Sequence, residues 1–89
     1  MLAHVTVRGR VQGVGFRYAA QQHAIKSNLT GWVQNKTDGT VELEVEGKKN
    51  NIDQYMKDLK TGFNRFISVE NASITTSDSS KGYKEFSIR

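Results

Sequence analysis

The 89-residue chain has no cysteine and no proline, only two histidines and a single tryptophan. Without cysteine, a disulfide framework, a thiolate zinc site and a thiol nucleophile are all excluded. His4 and His23 stand far apart and have no Cys or His neighbour at ligand spacing, so no metal is expected. No apolar run approaches the length that spans a bilayer. The N-terminal stretch MLAHVTVRGR lacks the charged, apolar and small-residue succession of a signal peptide. These absences predict a soluble, cytoplasmic chain that does not bind membranes and carries no cofactor. The missing proline has no functional explanation.

What is present fits one domain over residues 1–89, large enough to bury a core of its own. Thirteen Lys and Arg against nine Asp and Glu give a formal charge of +4. Such mild basicity suits anionic ligands, yet it is common in small domains that bind nothing anionic.

Along the chain, LAHVTVR alternates, with Ala3, Val5 and Val7 on one face, and predicts a strand. FRYAAQQHAIKS predicts a helix, with Phe16, Ala20 and Ala24 at helical spacing. TGWVQNK predicts a short strand, and Asp38-Gly39 a hairpin turn. TVELEVEG alternates most cleanly: Val41, Leu43 and Val45 face a core, while Glu42, Glu44 and Glu46 face water. Ile52, Met56, Leu59 and Phe63 mark an amphipathic helix, which Asn50 or Asn51 caps and Gly62 ends. FISVENASITT and YKEFSIR supply one or two final strands, separated by the polar loop TTSDSSKG. The order β-α-β-β-α-β, with a short extra strand allowed for, predicts a ferredoxin-like α+β sandwich: an antiparallel sheet with both helices on one face. Right-handed crossovers place the first and third core strands side by side at the centre. That fold hosts many functions, so the site has to identify this one.

The stretch VRGRVQGVGFR, residues 7–17, is where chemistry concentrates. It joins the first strand to the first helix, where backbone N–H groups lack intrahelical partners. Glycines at 9, 13 and 15 let the chain curl until successive N–H groups converge on an anion, helped by the helix dipole. Arg17 follows in the first turn, and its planar fork can hold two phosphate oxygens. The spacing matches neither G-x-G-x-x-G nor a Walker A loop, which disfavours nucleotide binding of those kinds. A plain glycine-rich turn with solvated arginines is the competing reading, and Arg8 and Arg10 are read as surface charges.

Residues 7–17 together with GWVQNKTDGTVELEVEG, residues 31–47, resemble the two signature stretches of the acylphosphatase family, and YKEFSIR resembles its last strand. The resemblance covers nearly the whole chain. It implies hydrolysis of the carboxyl–phosphate bond of acyl phosphates, on the ferredoxin-like fold. It implies a phosphate cradle of Val11, Gln12, Gly13, Val14, Gly15 and Phe16. It makes Arg17 the catalytic and phosphate-binding arginine, and Asn35 the residue that holds the attacking water. The implied partners are a small-molecule acyl phosphate and inorganic phosphate as product and inhibitor; no nucleic acid and no second copy are expected. Ser27 and Asn28 stand where the family commonly has leucine and glycine, and the family's proline is absent from NRFISVEN. Both departures bear on stability more than on Arg17 or Asn35, since Asn tolerates the left-handed conformation at a helix end.

The residue types agree with that chemistry. An acyl phosphate expels a carboxylate whose conjugate acid has a pKa of roughly 4, so the leaving group needs no proton. Positioning and charge stabilisation suffice, and an arginine, backbone donors and a neutral amide supply them without acid–base machinery. The carbonyl oxygen of Asn35 can accept a hydrogen bond from water, with the water's proton passing to a phosphoryl oxygen. The competing reading of Asn35 is a strand-end residue that stabilises the turn at 37–39. Trp32 is read as sheet packing, Phe16 and Tyr18 as helix anchors, and His23 as a half-buried or surface histidine. A non-catalytic module binding anions or nucleic acid is the alternative function. Three glutamates on one strand argue against an RNA-binding sheet, which displays paired aromatics among basic residues. A regulatory acylphosphatase-like module is a further alternative, disfavoured by the free-standing length.

Overall fold

Alternating burial builds the sheet, in a computed structural model that describes all 89 residues. In chain order the elements are β1 (Leu2–Arg10), α1 (Phe16–Lys26), β2 (Thr30–Asn35), β3 (Val41–Glu46), α2 (Lys49–Lys60), β4 (Ser68–Ser77) and β5 (Phe86–Ile88). The strands lie in the order β4-β1-β3-β2-β5, with β1 and β3 adjacent as the crossover rule requires. Ala3, Val5 and Val7 of β1 pair with Val45, Leu43 and Val41 of β3, and all six are fully buried. A one-residue slip would turn this set to solvent, so the pattern fixes the register.

The allowed-for extra strand exists as β5, and it runs parallel to β2. The sheet is therefore mixed, four antiparallel strands with one parallel edge strand. The chain leaves β4 at Ser77, beside Leu2, and crosses the sheet at the end where β2 begins. It enters β5 from there and must run in the direction of β2. Residues expected to lie in the polar loop divide accordingly: Thr75, Thr76 and Ser77 extend β4, and the crossing begins at Asp78.

Both helices end in left-handed caps. After α1, Asn28 has φ 57, its N–H donates to the carbonyl of Ile25, and that of Leu29 to Ala24. After α2, Gly62 has φ 82, with N–H bonds from Gly62 to Leu59 and from Phe63 to Asp58. These are Schellman motifs, each delivering an apolar residue to the core. Phe63 lands 5.6 Å from Phe16, 5.4 Å from Tyr55 and 4.5 Å from His23, ring centre to ring centre, and so packs against the first residue of α1. The Tyr55 hydroxyl donates to the Ala20 carbonyl and ties the helices together; burial pushes its phenol up and keeps it protonated. The start of α2 differs from expectation. Lys48 is its N-cap without a side-chain bond, and Asn50 and Asn51 lie inside the helix. Only Gly47 and Lys48 separate β3 from α2, which forces the earlier start.

The glutamates of β3 do not form a solvated face. Glu44 is only 3% exposed. Its carboxylate lies 2.8 Å from His4 Nδ1 and 3.0 Å from Lys81 Nζ, and it accepts a hydrogen bond from the Tyr83 hydroxyl. Glu42 contacts His4 Nε2 at 2.8 Å and accepts from Gln34, and Glu46 accepts from the backbone N–H groups of Lys81 and Gly82. Lys81, Gly82 and Tyr83 come from the crossing segment, more than thirty residues away in sequence, where strand periodicity gives no hint of them. Trp32 lies in the same layer, 5.9 Å from His4, with its indole N–H on Tyr83 and the Arg89 guanidinium 4.6 Å above its ring.

Candidate active site

The end of the sheet opposite that crossing is where β1 runs out, β2 reaches Asn35 and β5 reaches Ile88. Near its end β1 carries a bulge against β4, with a register shift between Arg8 and Gly9. Gly9 is required there: with φ 135, a Cβ would stand 2.2 Å from the Ser68 carbonyl oxygen. Gly9 thus serves the bulge, and the curl of the following loop falls to Gly13 and Gly15, with φ 76 and 80. A Cβ at either of these two meets nothing within 4 Å, so their backbone geometry, not crowding, calls for glycine.

The result is a run of donors. The N–H groups of residues 11–18 find no backbone or side-chain acceptor in the chain; the first main-chain bond of α1 runs from Ala19 to Gly15. Gly15 is the N-cap and brings no side chain to close the helix start, and no acidic residue occupies the first turn. Orphan N–H groups at a helix start carry the positive end of its dipole, and the loop adds more donors before it.

Val11, Gly13, Gly15, Phe16, Arg17 and Asn35 line one cleft of about 210 Å³ there, with Tyr18 and Ile88 at its rim. Val11 and Phe16 are buried and act as its base. Arg17, half-buried, follows Phe16 by one residue and so leaves the core face of α1; its Nη1 donates to the Arg89 carbonyl oxygen at 3.4 Å. Asn35 is on the strand face of Val33, facing the helices, paired with Val41 across the sheet. Val14 packs against the core beside the loop.

Gln12 joins the two signature stretches. Its Nε2 donates to the carbonyl oxygens of Lys36 and Thr40, both at 2.8 Å, and pins the β1–α1 loop to the β2–β3 turn next to Asn35. The turn needs no help from Asn35. Asp38 Oδ1 accepts from the N–H and hydroxyl of Thr40, and those bonds hold its carboxyl below the usual range. The Asn35 side chain makes no hydrogen bond within the chain and is exposed, so the turn-stabilising reading falls to Asp38.

Sequence reasoning missed one feature of this cleft. Tyr18, expected as a helix anchor, is 65% exposed at its rim. Its position two residues past Phe16, about 200° round the helix, was the available signal.

In a two-layer α+β sandwich, a run of free amides and an arginine at the first helix start have the chemistry to take a small anion. The comparisons narrow that reading. The acylphosphatase family profile matches residues 3–88. The acylphosphatase of Geobacillus kaustophilus is 45% identical over 85 residues, covering 96% of this chain and 89% of that protein. The crystal structure of the Bacillus subtilis acylphosphatase superposes with a TM-score of 0.94 at 44% identity, covering 100% of this chain and 99% of the other. The structure of an acylphosphatase from Coxiella burnetii gives 0.91 at 35% identity, with 99% and 90% covered. The chain belongs to the acylphosphatase family.

Proposed function

We infer that the chain hydrolyses acyl phosphates, and that the cleft at the start of α1 is where it does so. The observation that carries the site is the unbroken run of N–H donors over residues 11–18, with Arg17 and Asn35 in one cleft with them. On this reading the cradle Val11 to Phe16 and the Arg17 guanidinium hold the phosphoryl oxygens and balance charge that builds up as the P–O bond breaks. Asn35, with both polar atoms free of other partners, accepts a hydrogen bond from the attacking water and aims it at phosphorus.

The step balances without a separate base. The water oxygen forms a bond to phosphorus as the bond from phosphorus to the bridging oxygen breaks. The electron pair leaves on the carboxylate, which is stable as an anion at neutral pH. A proton of the water passes to a phosphoryl oxygen, and the products are a carboxylate and inorganic phosphate. Metal independence follows from the ease of that leaving group. No helix of the chain is long and apolar enough to cross a membrane. A monomer in the cytoplasm, acting on a small molecule, is the accompanying proposal. The outer sheet face carries Glu42, Glu44 and Glu46, and its Trp32 is buried among their partners, which disfavours an RNA-binding role.

The experiment is hydrolysis of benzoyl phosphate with excess EDTA, with inorganic phosphate as competitive inhibitor. Turnover unaffected by the chelator is expected. Absence of turnover on benzoyl and acetyl phosphate alike would overturn the reading.

A further inference from the structure

Only four large hydrophobic side chains are strongly exposed, and two of them, Tyr18 at 65% and Ile88 at 40%, stand at the rim of the one cleft that holds Arg17 and Asn35. Scattered apolar residues on a surface need no explanation, but two from different elements meeting at a polar site do. Neither is exposed by accident of a loose segment. Ile88 pairs with Val33, which is fully buried, so its side chain is directed to the helix side of the sheet and stays open only because the sheet ends there. Tyr18 sits in the first turn of α1, fixed by the buried Phe16 two residues before it.

We propose that Tyr18 and Ile88 form the wall that receives the acyl part of the substrate, and that they make the site prefer acyl phosphates with aromatic or bulky apolar acyl groups over acetyl phosphate. This rests on the acylphosphatase reading of the cleft. The phosphoryl group is fixed by amides and Arg17 at the base. One bridging oxygen separates phosphorus from the acyl carbon, so the substituent on that carbon emerges at the rim. A phenyl ring offers such a wall far more apolar surface to cover than a methyl group does. A charged acyl substituent would find a single neutral polar group on that wall, the Tyr18 hydroxyl. Aromatic contact, area burial and no added charge all favour the apolar acyl group.

The test compares kcat/KM for benzoyl and acetyl phosphate in wild type, Tyr18→Ala, Tyr18→Phe and Ile88→Ala, with the inhibition constant of inorganic phosphate as a reference lacking any acyl group. Intrinsic substrate reactivity cancels when the benzoyl-to-acetyl ratio is compared between variants. The ratio is expected to fall about three- to ten-fold in Tyr18→Ala, to fall less in Ile88→Ala, and to be restored in Tyr18→Phe, which keeps the ring. Both truncated side chains are exposed, so folding is not at stake. Equal ratios in wild type and Tyr18→Ala, with both substrates hydrolysed, would overturn this proposal and leave the acylphosphatase reading standing. Loss of hydrolysis of both substrates in wild type would instead remove the reading beneath it.

Discussion

On the outer face of the sheet, Glu44 is enclosed by the Tyr83 hydroxyl, His4 and Lys81, and no buried side-chain polar atom anywhere in the chain lacks a partner. At the end of the sheet where β1 feeds α1, residues 11–18 present N–H after N–H with no acceptor, and the Asn35 amide has none either. Both regions are polar, the first built on a glutamate with a histidine, a lysine and a tyrosine, the second on backbone amides with an arginine and an asparagine. The difference lies in satisfaction. A cluster whose donors and acceptors close on one another contributes to stability, and a run of unmatched donors leaves hydrogen bonds free for a ligand. Perturbing the first should move stability and leave turnover alone. Perturbing the second should do the reverse.

The largest effect is expected at the open cluster. Arg17→Ala removes the only side-chain cation lining the cleft and should lower kcat/KM by about 10³-fold or more, while weakening inhibition by phosphate. Asn35→Ala should lower kcat by about 10²-fold, the scale of a misplaced reactant, with phosphate inhibition little changed, as the proposed role on the water and not the anion requires. Thermal unfolding midpoints of both variants should stay near wild type, since Asn35 is exposed and Arg17 makes a single long hydrogen bond. A marked drop in midpoint for either would show that the two regions are not separable in this way.

Much of the open site was legible because it is local. Gly13, Gly15 and Arg17 fall within five residues, and the helix start that they prepare follows from Phe16, Ala20 and Ala24. The alternation of β1 and β3 set the register that brings Asn35 to the same end. The closed cluster was not legible, because Lys81 and Tyr83 reach Glu44 from far along the chain. A glutamate alternating with valine reads as solvent-facing whether or not a later segment covers it. The parallel β5 was hidden for a related reason: its direction depends on where residues 78–85 cross, which no periodicity encodes. Asn50 and Asn51 show local preference losing to connection length, with only two residues between β3 and α2.

The closed cluster carries the next effect. Burial alone would push Glu44 up, but the hydrogen bonds from Tyr83, His4 and Lys81 overcome it and hold the carboxyl at about 2 against an ordinary 4.5. A depressed carboxylate stabilises the fold above its unfolded pKa and loses that contribution as the pH falls through its folded one. Wild type should therefore shed up to about 3 kcal/mol between pH 4.5 and 2 from this group. Glu44→Gln should be less stable by about 2 kcal/mol at neutral pH, should lack that part of the acid slope, and should retain wild-type turnover on benzoyl phosphate at a temperature where it is folded. Denaturant midpoints measured across that pH range, with activity at pH 7, check all three.

Gln12 sits on the boundary of the comparison and should give the smallest effect. Its backbone N–H belongs to the open run, whereas its side chain is satisfied twice, by Lys36 and Thr40. If that amide only braced a loop, Gln12→Ala would lower stability and leave kcat intact. It spans from the β1–α1 loop to the turn that follows Asn35, so on the proposed mechanism its removal should loosen the distance between the anion and the water. The expected outcome is a fall in kcat of about ten-fold, with phosphate inhibition weakened less and stability lowered by about 1 kcal/mol. Gln12→Glu sharpens the test. A carboxylate cannot donate to two carbonyl oxygens and would repel both, so this variant should be slower than the alanine one at pH 7 and recover part of its rate as the pH falls toward the carboxyl's protonation. Equal rates for the two variants at every pH would assign the bonds to bracing alone and leave the spacing of cradle and water to the sheet register.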